Sequence, residues 1–165
     1  MKQIAKTRQR IRFLCYGAII AALYVVLTFL ARLLGLDSGV IQIRFSEILC
    51  LLPMFFPSAI VGVTLGCFLA NLLSGAIILD IIIGPIATLI GAFGTYLLRK
   101  HKYLATLPPI ISNGVIIPFV LAYGYGAKDS IPFMMLTVGF GEFISIFLLG
   151  LVLIPIFEKH IKYHL

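Results

Sequence analysis

The sequence predicts an all-α membrane protein: a bundle of six transmembrane helices with both termini in the cytoplasm. Three observations carry that expectation. The 165 residues are 61% hydrophobic and 12% charged, with a mean hydropathy of +1.13, a composition outside the range of soluble domains. The apolar runs are long and continuous rather than alternating, which excludes a closed barrel in practice. A bilayer core needs roughly 20 apolar residues per helix, so a chain of this length holds about six spans with minimal loops and no soluble domain. The basic residues give a pI near 9.5, but they cluster outside the apolar runs, which is a topological pattern and not a nucleic-acid footprint.

Residues 1–11 form a basic cytoplasmic arm containing Lys2, Lys6, Arg8 and Arg10, and residues 12–165 form the membrane domain. The first span is expected from Ile11 to Leu34 and is retained, since no small-residue cleavage site follows its apolar run. Its small residues make two overlapping pairs at four-residue spacing, Gly17 with Ala21 and Ala18 with Ala22, and either pair suits close helix approach. The second span, Phe45 to Phe56, is interrupted by Pro53 and ended by Pro57. Twelve α-helical residues reach about 18 Å, too short to cross alone. It must tilt, extend into its neighbours' ends, or let the preceding loop dip into a protein-lined cavity.

The third span runs from Ser58 to Leu73 with Gly62, Gly66 and Ala70 at helical spacing. Ser74-Gly75-Ala76 turns the chain, and the fourth span runs from Leu79 to Leu98. Arg99, Lys100, His101 and Lys102 follow it. The fifth span is Leu107 to Tyr123, and the sixth, Ile131 to Phe157, is followed by Lys159, His160, Lys162 and His164. Ten of the thirteen Lys and Arg residues fall on one predicted side, leaving Arg32, Arg44 and Lys128 on the other, and that bias orients both termini to the cytoplasm. Cys15, Cys50 and Cys67 lie in apolar runs without metal or redox spacing and read as small core hydrophobes.

Polar residues inside the apolar runs mark the candidate site. Glu142 lies about 16 Å along the sixth span at 1.5 Å per residue, near the bilayer midplane. Holding a carboxylate there costs about 2.5–3.5 kcal/mol on insertion scales, so a partner or a ligand must offset it. Gly139 and Gly141 leave room beside it, and an importer requires an outward-facing hollow there. Asn113 falls about a third of the way across the fifth span and is an alternative structural partner for Glu142. Glu47, Asn71 and Asp80 are expected nearer the outer helix ends, where capping and backbone hydrogen bonding compete with a binding role, so that the five residues describe a funnel opening outward. Arg44 is either a counter-charge to Glu47 or a solvated rim residue. Polar and apolar residues alternate from Ile41 to Ser46, which puts Gln42, Arg44 and Ser46 on one side of an extended segment. No nucleotide-binding loop, no metal motif and no Ser/His arrangement is present, so the chain is not expected to be an enzyme, to bind a metal or cofactor, or to hydrolyse ATP itself.

Gln42-x-Arg44-Phe45-Ser46-Glu47, Gly66-Cys67-x-x-Ala70-Asn71-Leu72 with Leu79-Asp80, Pro108-Pro109-x-x-x-Asn113, and Gly141-Glu142 together resemble the QueT family, from about Arg12 to Lys159. The resemblance implies the substrate-binding S component of an energy-coupling factor (ECF) transporter for queuosine precursors. Such a protein binds its substrate from outside in a six-helix bundle and works in the bilayer with a transmembrane T component and two ATP-binding-cassette ATPases. It implies that Ala18 and Ala22 contact the T component, that Gln42 and Ser46 belong to a lid, and that Arg44, Glu47, Asn71, Asp80, Asn113 and Glu142 bind substrate. The implied guest is a 7-deazaguanine such as preQ0 or preQ1. Its guanine-like edge offers adjacent N–H donors to a carboxylate, its carbonyl needs a donor, and an aminomethyl form adds a cation. Three other readings fit the composition: an S component for a different compound, a proton-coupled transporter using Glu47 and Glu142, and a structural membrane subunit.

Overall fold

The computed structural model describes residues 2–37 and 41–161; the expected cytoplasmic Lys162 and His164 lie outside them. Among the described residues all regular structure is helical, because a backbone in lipid must satisfy its own hydrogen bonds. Helix α1 is Lys2–Leu33, α2 is Ser58–Leu73, α3 is Ile78–Leu97, α4 is Leu107–Tyr123, α5 is Ile131–Glu142 and α6 is Leu149–Ile161. A 3₁₀ helix, Phe45–Met54, precedes α2, and a π-helical stretch, Phe143–Leu148, joins α5 to α6 in one continuous rod. Four of these helical runs are long and apolar enough to cross a membrane, Lys6–Leu33, Ile78–Leu97, Leu104–Tyr123 and Ile131–Phe157; Phe45–Met54 and Ser58–Leu73 are apolar but shorter. The chain is therefore a multi-pass membrane protein.

Helix α1 runs unbroken from Lys2 through the expected arm into the first span. The expected bounds of α2 and α4 coincide with the observed ones. Gly75, at φ 71°, makes the turn after α2, with the Ala76 N–H bonded to the Asn71 carbonyl at 3.0 Å, a helix ending that favours glycine.

Close approach of backbones fixes the order of packing. A Cβ at Gly62 would stand 2.8 Å from the Gly17 carbonyl oxygen, and one at Gly66 only 2.6 Å from the Tyr24 Cβ. The α1–α2 contact therefore uses Gly17 and Ala21, while Ala18 and Ala22, about 100° round the helix, are exposed. Likewise, α3 meets the start of α4 through Gly91 and Gly94, whose absent side chains make room for Pro109 and Pro108. Helix α2 packs on α3 and α4 on α5, and the 3₁₀ helix sits in the middle, touching α1, α2, α3, the π stretch and α6.

The short second segment is thus buried from Ser46 to Pro53, and its winding is its answer to length. At about 2.0 Å of rise per residue a 3₁₀ helix extends further than an α-helix of equal residue count. Its threefold repeat also stacks Glu47 on Cys50, whose thiol donates to Glu47 Oε2 at 3.3 Å. Cys50 is therefore more than a core hydrophobe. Cys15 departs from expectation too: it is exposed on α1, because only a narrow face of that helix packs inward.

Candidate functional site

Four elements bring one polar side chain each, or two, to a common point in the bundle. Tyr24 comes from α1, Glu47 and Cys50 from the 3₁₀ helix, Asn113 from α4 and Glu142 from the end of α5. The Tyr24 hydroxyl donates to Glu47 Oε1 at 2.5 Å. The Asn113 amide nitrogen donates to Glu47 Oε2 at 3.3 Å and to Glu142 Oε1 at 2.9 Å. One amide group thus bridges two carboxylates, and Glu47, Asn113 and Glu142 are only 1%, 3% and 7% exposed.

Glu47 was expected near the outer end, with the shallower residues; it lies instead beside Asn113 and Glu142. The reason is the segment before it. Gln42–Arg44 dips between the helices, the alternative open to a short second segment. It is seated against α5: a Cβ at Gly141 would meet the Gln42 carbonyl oxygen at 2.1 Å, and the Arg44 backbone N–H donates to the Ser145 hydroxyl at 3.2 Å. Ser145 in turn donates to the Gly141 carbonyl at 2.9 Å, inside the π-helical stretch, where the wider winding alters the register of side chains just beyond Glu142.

The hydrogen-bond inventory of this cluster is lopsided. Glu47 accepts from three donors, whereas Glu142 Oε2 and Asn113 Oδ1 are buried without any partner, as is the Ser46 hydroxyl. The amide oxygen can only accept, and the Glu142 oxygen does so when that side chain is ionised. Leaving such groups unpaired costs about 1–3 kcal/mol each, so the arrangement suits a guest that supplies N–H donors.

A cavity of about 410 Å³ opens where the ends of α1 and α2 meet the start of α3, lined among others by Arg32, Gln42, Arg44, Asn71, Asp80 and Tyr125. Arg32 stands 3.9 Å from Asp37 and donates to the Ser74 carbonyl at 3.1 Å, tying α1 to the end of α2. Asn71 donates to the Asp80 carbonyl at 3.0 Å and to its carboxylate at 3.4 Å, and the Tyr125 hydroxyl donates to the other carboxylate oxygen at 3.0 Å. Burial, then the neighbouring carboxylate of Asp80, raises the Tyr125 phenol above its ordinary pKa, which keeps it a donor.

The expected single funnel is therefore two levels. Asn71, Asp80, Arg44 and Gln42 line the vestibule, and Glu47, Asn113, Glu142 and Ser46 lie below it; the room expected beside Glu142 is not part of this cavity, because Glu142 is absent from its wall and the Gln42 backbone occupies the space at Gly141. Ile117 of α4 lines the vestibule, and Asn113 lies one helical turn further in, about 6 Å along the axis. The chain at Gln42 covers Gly141, next to Glu142. Sequence reasoning missed Tyr24, Ser145 and Gly84 as supports of the site. Gly84 is needed because a Cβ there would stand 2.7 Å from the Asn71 amide nitrogen and 3.1 Å from Asp80. Nothing in a span's composition singles out which tyrosine or serine faces inward.

Replacing Gly141 by Ala tests the seat of the loop. A methyl group cannot occupy a position 2.1 Å from a carbonyl oxygen, so Gln42–Arg44 must lift. A roughly fourfold or greater rise in hydrogen exchange at the 42–44 amides is expected, about 0.8 kcal/mol of lost protection. Unchanged exchange there would show that the loop is held elsewhere.

Residues 14–159 match the family model described as QueT transporter. Over 86 residues the chain is 40% identical to the queuosine precursor transporter QueT of Lactococcus lactis subsp. cremoris (strain MG1363), covering 52% of this chain and 50% of that protein; the chain thus spans half the length of the relative it matches. No solved structure matches it significantly. With the family model extending from within α1 almost to the end of α6, the chain belongs to the QueT transporter family.

Proposed function

We propose that the chain is the substrate-binding S component of an ECF importer, capturing a 7-deazaguanine queuosine precursor from outside the cell. The observation that carries this is the pair of donor-less acceptors, Glu142 Oε2 and Asn113 Oδ1, buried below the level of the vestibule. The amino-pyrimidinone edge of a deazaguanine presents adjacent N–H donors, which match a carboxylate and a neighbouring amide oxygen. Glu47, whose oxygens already accept from Tyr24, Cys50 and Asn113, holds the Asn113 amide in the orientation that leaves Oδ1 free. Arg44 is placed to donate to the base carbonyl from the loop, with Gln42 and Ser46 completing the cover.

In this reading all six rods cross the bilayer, with both termini cytoplasmic, as the distribution of Lys and Arg favours. Ala18 and Ala22, exposed on α1 while Gly17 and Ala21 are used inside, form the face for the T component, and two partner ATPases supply the energy. Purified protein is expected to bind 7-deazaguanines, and to co-purify with a T component and two ATPases when they are co-expressed. Failure to bind any deazaguanine would refute the substrate; gradient-driven uptake by the chain alone in liposomes would refute the dependence on ATPases. The latter result belongs to a second reading, favoured by the one amide shared between Glu47 and Glu142, in which that pair relays protons.

A further inference from the structure

We propose that Asp80 in the vestibule wall takes a protonated amine carried on the guest, so that the protein prefers 7-deazaguanines with a cationic 7-substituent over neutral ones. This rests on the reading that the base is seated at Asn113 and Glu142.

Asp80 stands in the first turn of α3 but is not consumed there. Its carboxylate accepts from Asn71 and from Tyr125, both neutral donors, and a carboxylate has about four acceptor positions. Two are therefore open on a side chain that lines the cavity. The position is also rigid. Gly84 beneath it, Asn71 from α2 and Tyr125 beyond α4 hold the group from three directions, so little side-chain freedom is lost when a cation arrives.

Charge points the same way. Along the path from the vestibule to the buried cluster the carboxyl side chains are Asp37, Asp80, Glu47 and Glu142, against the guanidinium groups of Arg32 and Arg44. Arg32 lies close to Asp37, which leaves Arg44 facing three carboxylates. The guest has matching ends. In a 7-deazaguanine the donor-rich edge lies on the six-membered ring and the 7-substituent on the five-membered ring. The acceptors at Asn113 lie about one turn, roughly 6 Å, below the vestibule level marked by Ile117. A base anchored below by its edge therefore extends its substituent upward into the vestibule, where Asp80 stands.

Equilibrium binding of 7-aminomethyl-7-deazaguanine and 7-cyano-7-deazaguanine to the purified full chain tests this, in the native protein and in Asp80→Asn. The native protein is expected to prefer the aminomethyl compound by about tenfold or more, as suits a charge-assisted contact in a partly desolvated wall. In Asp80→Asn the ratio is expected to fall to about threefold or less. Asp80→Ser gives the same readout if the amide variant fails to fold. Equal affinities in the native protein, or a preference that survives loss of the charge, would overturn the amine assignment and leave the importer reading standing. If neither compound binds the native protein, both readings fall together.

Discussion

Glu142→Gln is expected to lower the affinity for a 7-deazaguanine by about 100-fold, or about 2.7 kcal/mol. The substitution keeps the side chain's size, and the retained oxygen can still accept from the Asn113 amide, now 2.9 Å away. What changes is the second position, where Oε2 lies buried without a donor. A glutamine puts an NH₂ there, donor against donor, and the guest's own N–H is left unpaired in a site that excludes water. Isothermal titration with the precursor measures the loss, and the thermal midpoint of the unliganded protein, expected to stay equal or rise, separates it from misfolding. An unchanged affinity removes Glu142 from the binding site and turns the buried acceptor into a structural feature.

The second large effect belongs to Asn113. Its amide nitrogen donates to both Glu47 and Glu142, so Asn113→Leu, with the same branching but bulkier methyl groups, leaves two neighbouring carboxylates without their common donor. A destabilisation of about 3 kcal/mol or more is expected, since two hydrogen bonds to carboxylates at about 1.5–3 kcal/mol each are lost. Thermal unfolding in detergent reads it out. Adding Glu47→Gln to Asn113→Leu is expected to recover part of the loss, because the amide replaces one of two like charges and supplies a donor toward Glu142. If the double variant is less stable than Asn113→Leu alone, Glu47 is held chiefly by Tyr24 and Cys50, and the bridge through Asn113 contributes little.

These two residues also show the limits of reading a membrane sequence. Both were legible as polar groups inside apolar spans, Glu142 as one too deep to reach water, because the cost of burying such groups in hydrocarbon does not depend on the fold. Their division of labour was not. Whether Glu47 or Glu142 keeps a free oxygen depends on where Tyr24 and Cys50 point, and several tyrosines and cysteines in apolar runs look alike in sequence. The small-residue pairs of α1 posed the same problem. Gly17 with Ala21 and Ala18 with Ala22 have equal spacing, and only the position of Gly62 and Gly66 decides which pair is used inside.

What the sequence by itself determined was the helical architecture: Ser58–Leu73 and Leu107–Tyr123 begin and end where prolines, glycines and the loss of apolar residues place them. That information is local, since a helix satisfies its own backbone and hydrocarbon selects only for length and composition. Tertiary structure alone decided that Phe45–Met54 winds as a 3₁₀ helix, that the loop before it descends onto Gly141, and that Glu47 consequently sits beside Asn113 instead of at the rim. The physical reason is that a segment too short to stand as an independent span takes its winding and depth from the neighbours that bury it.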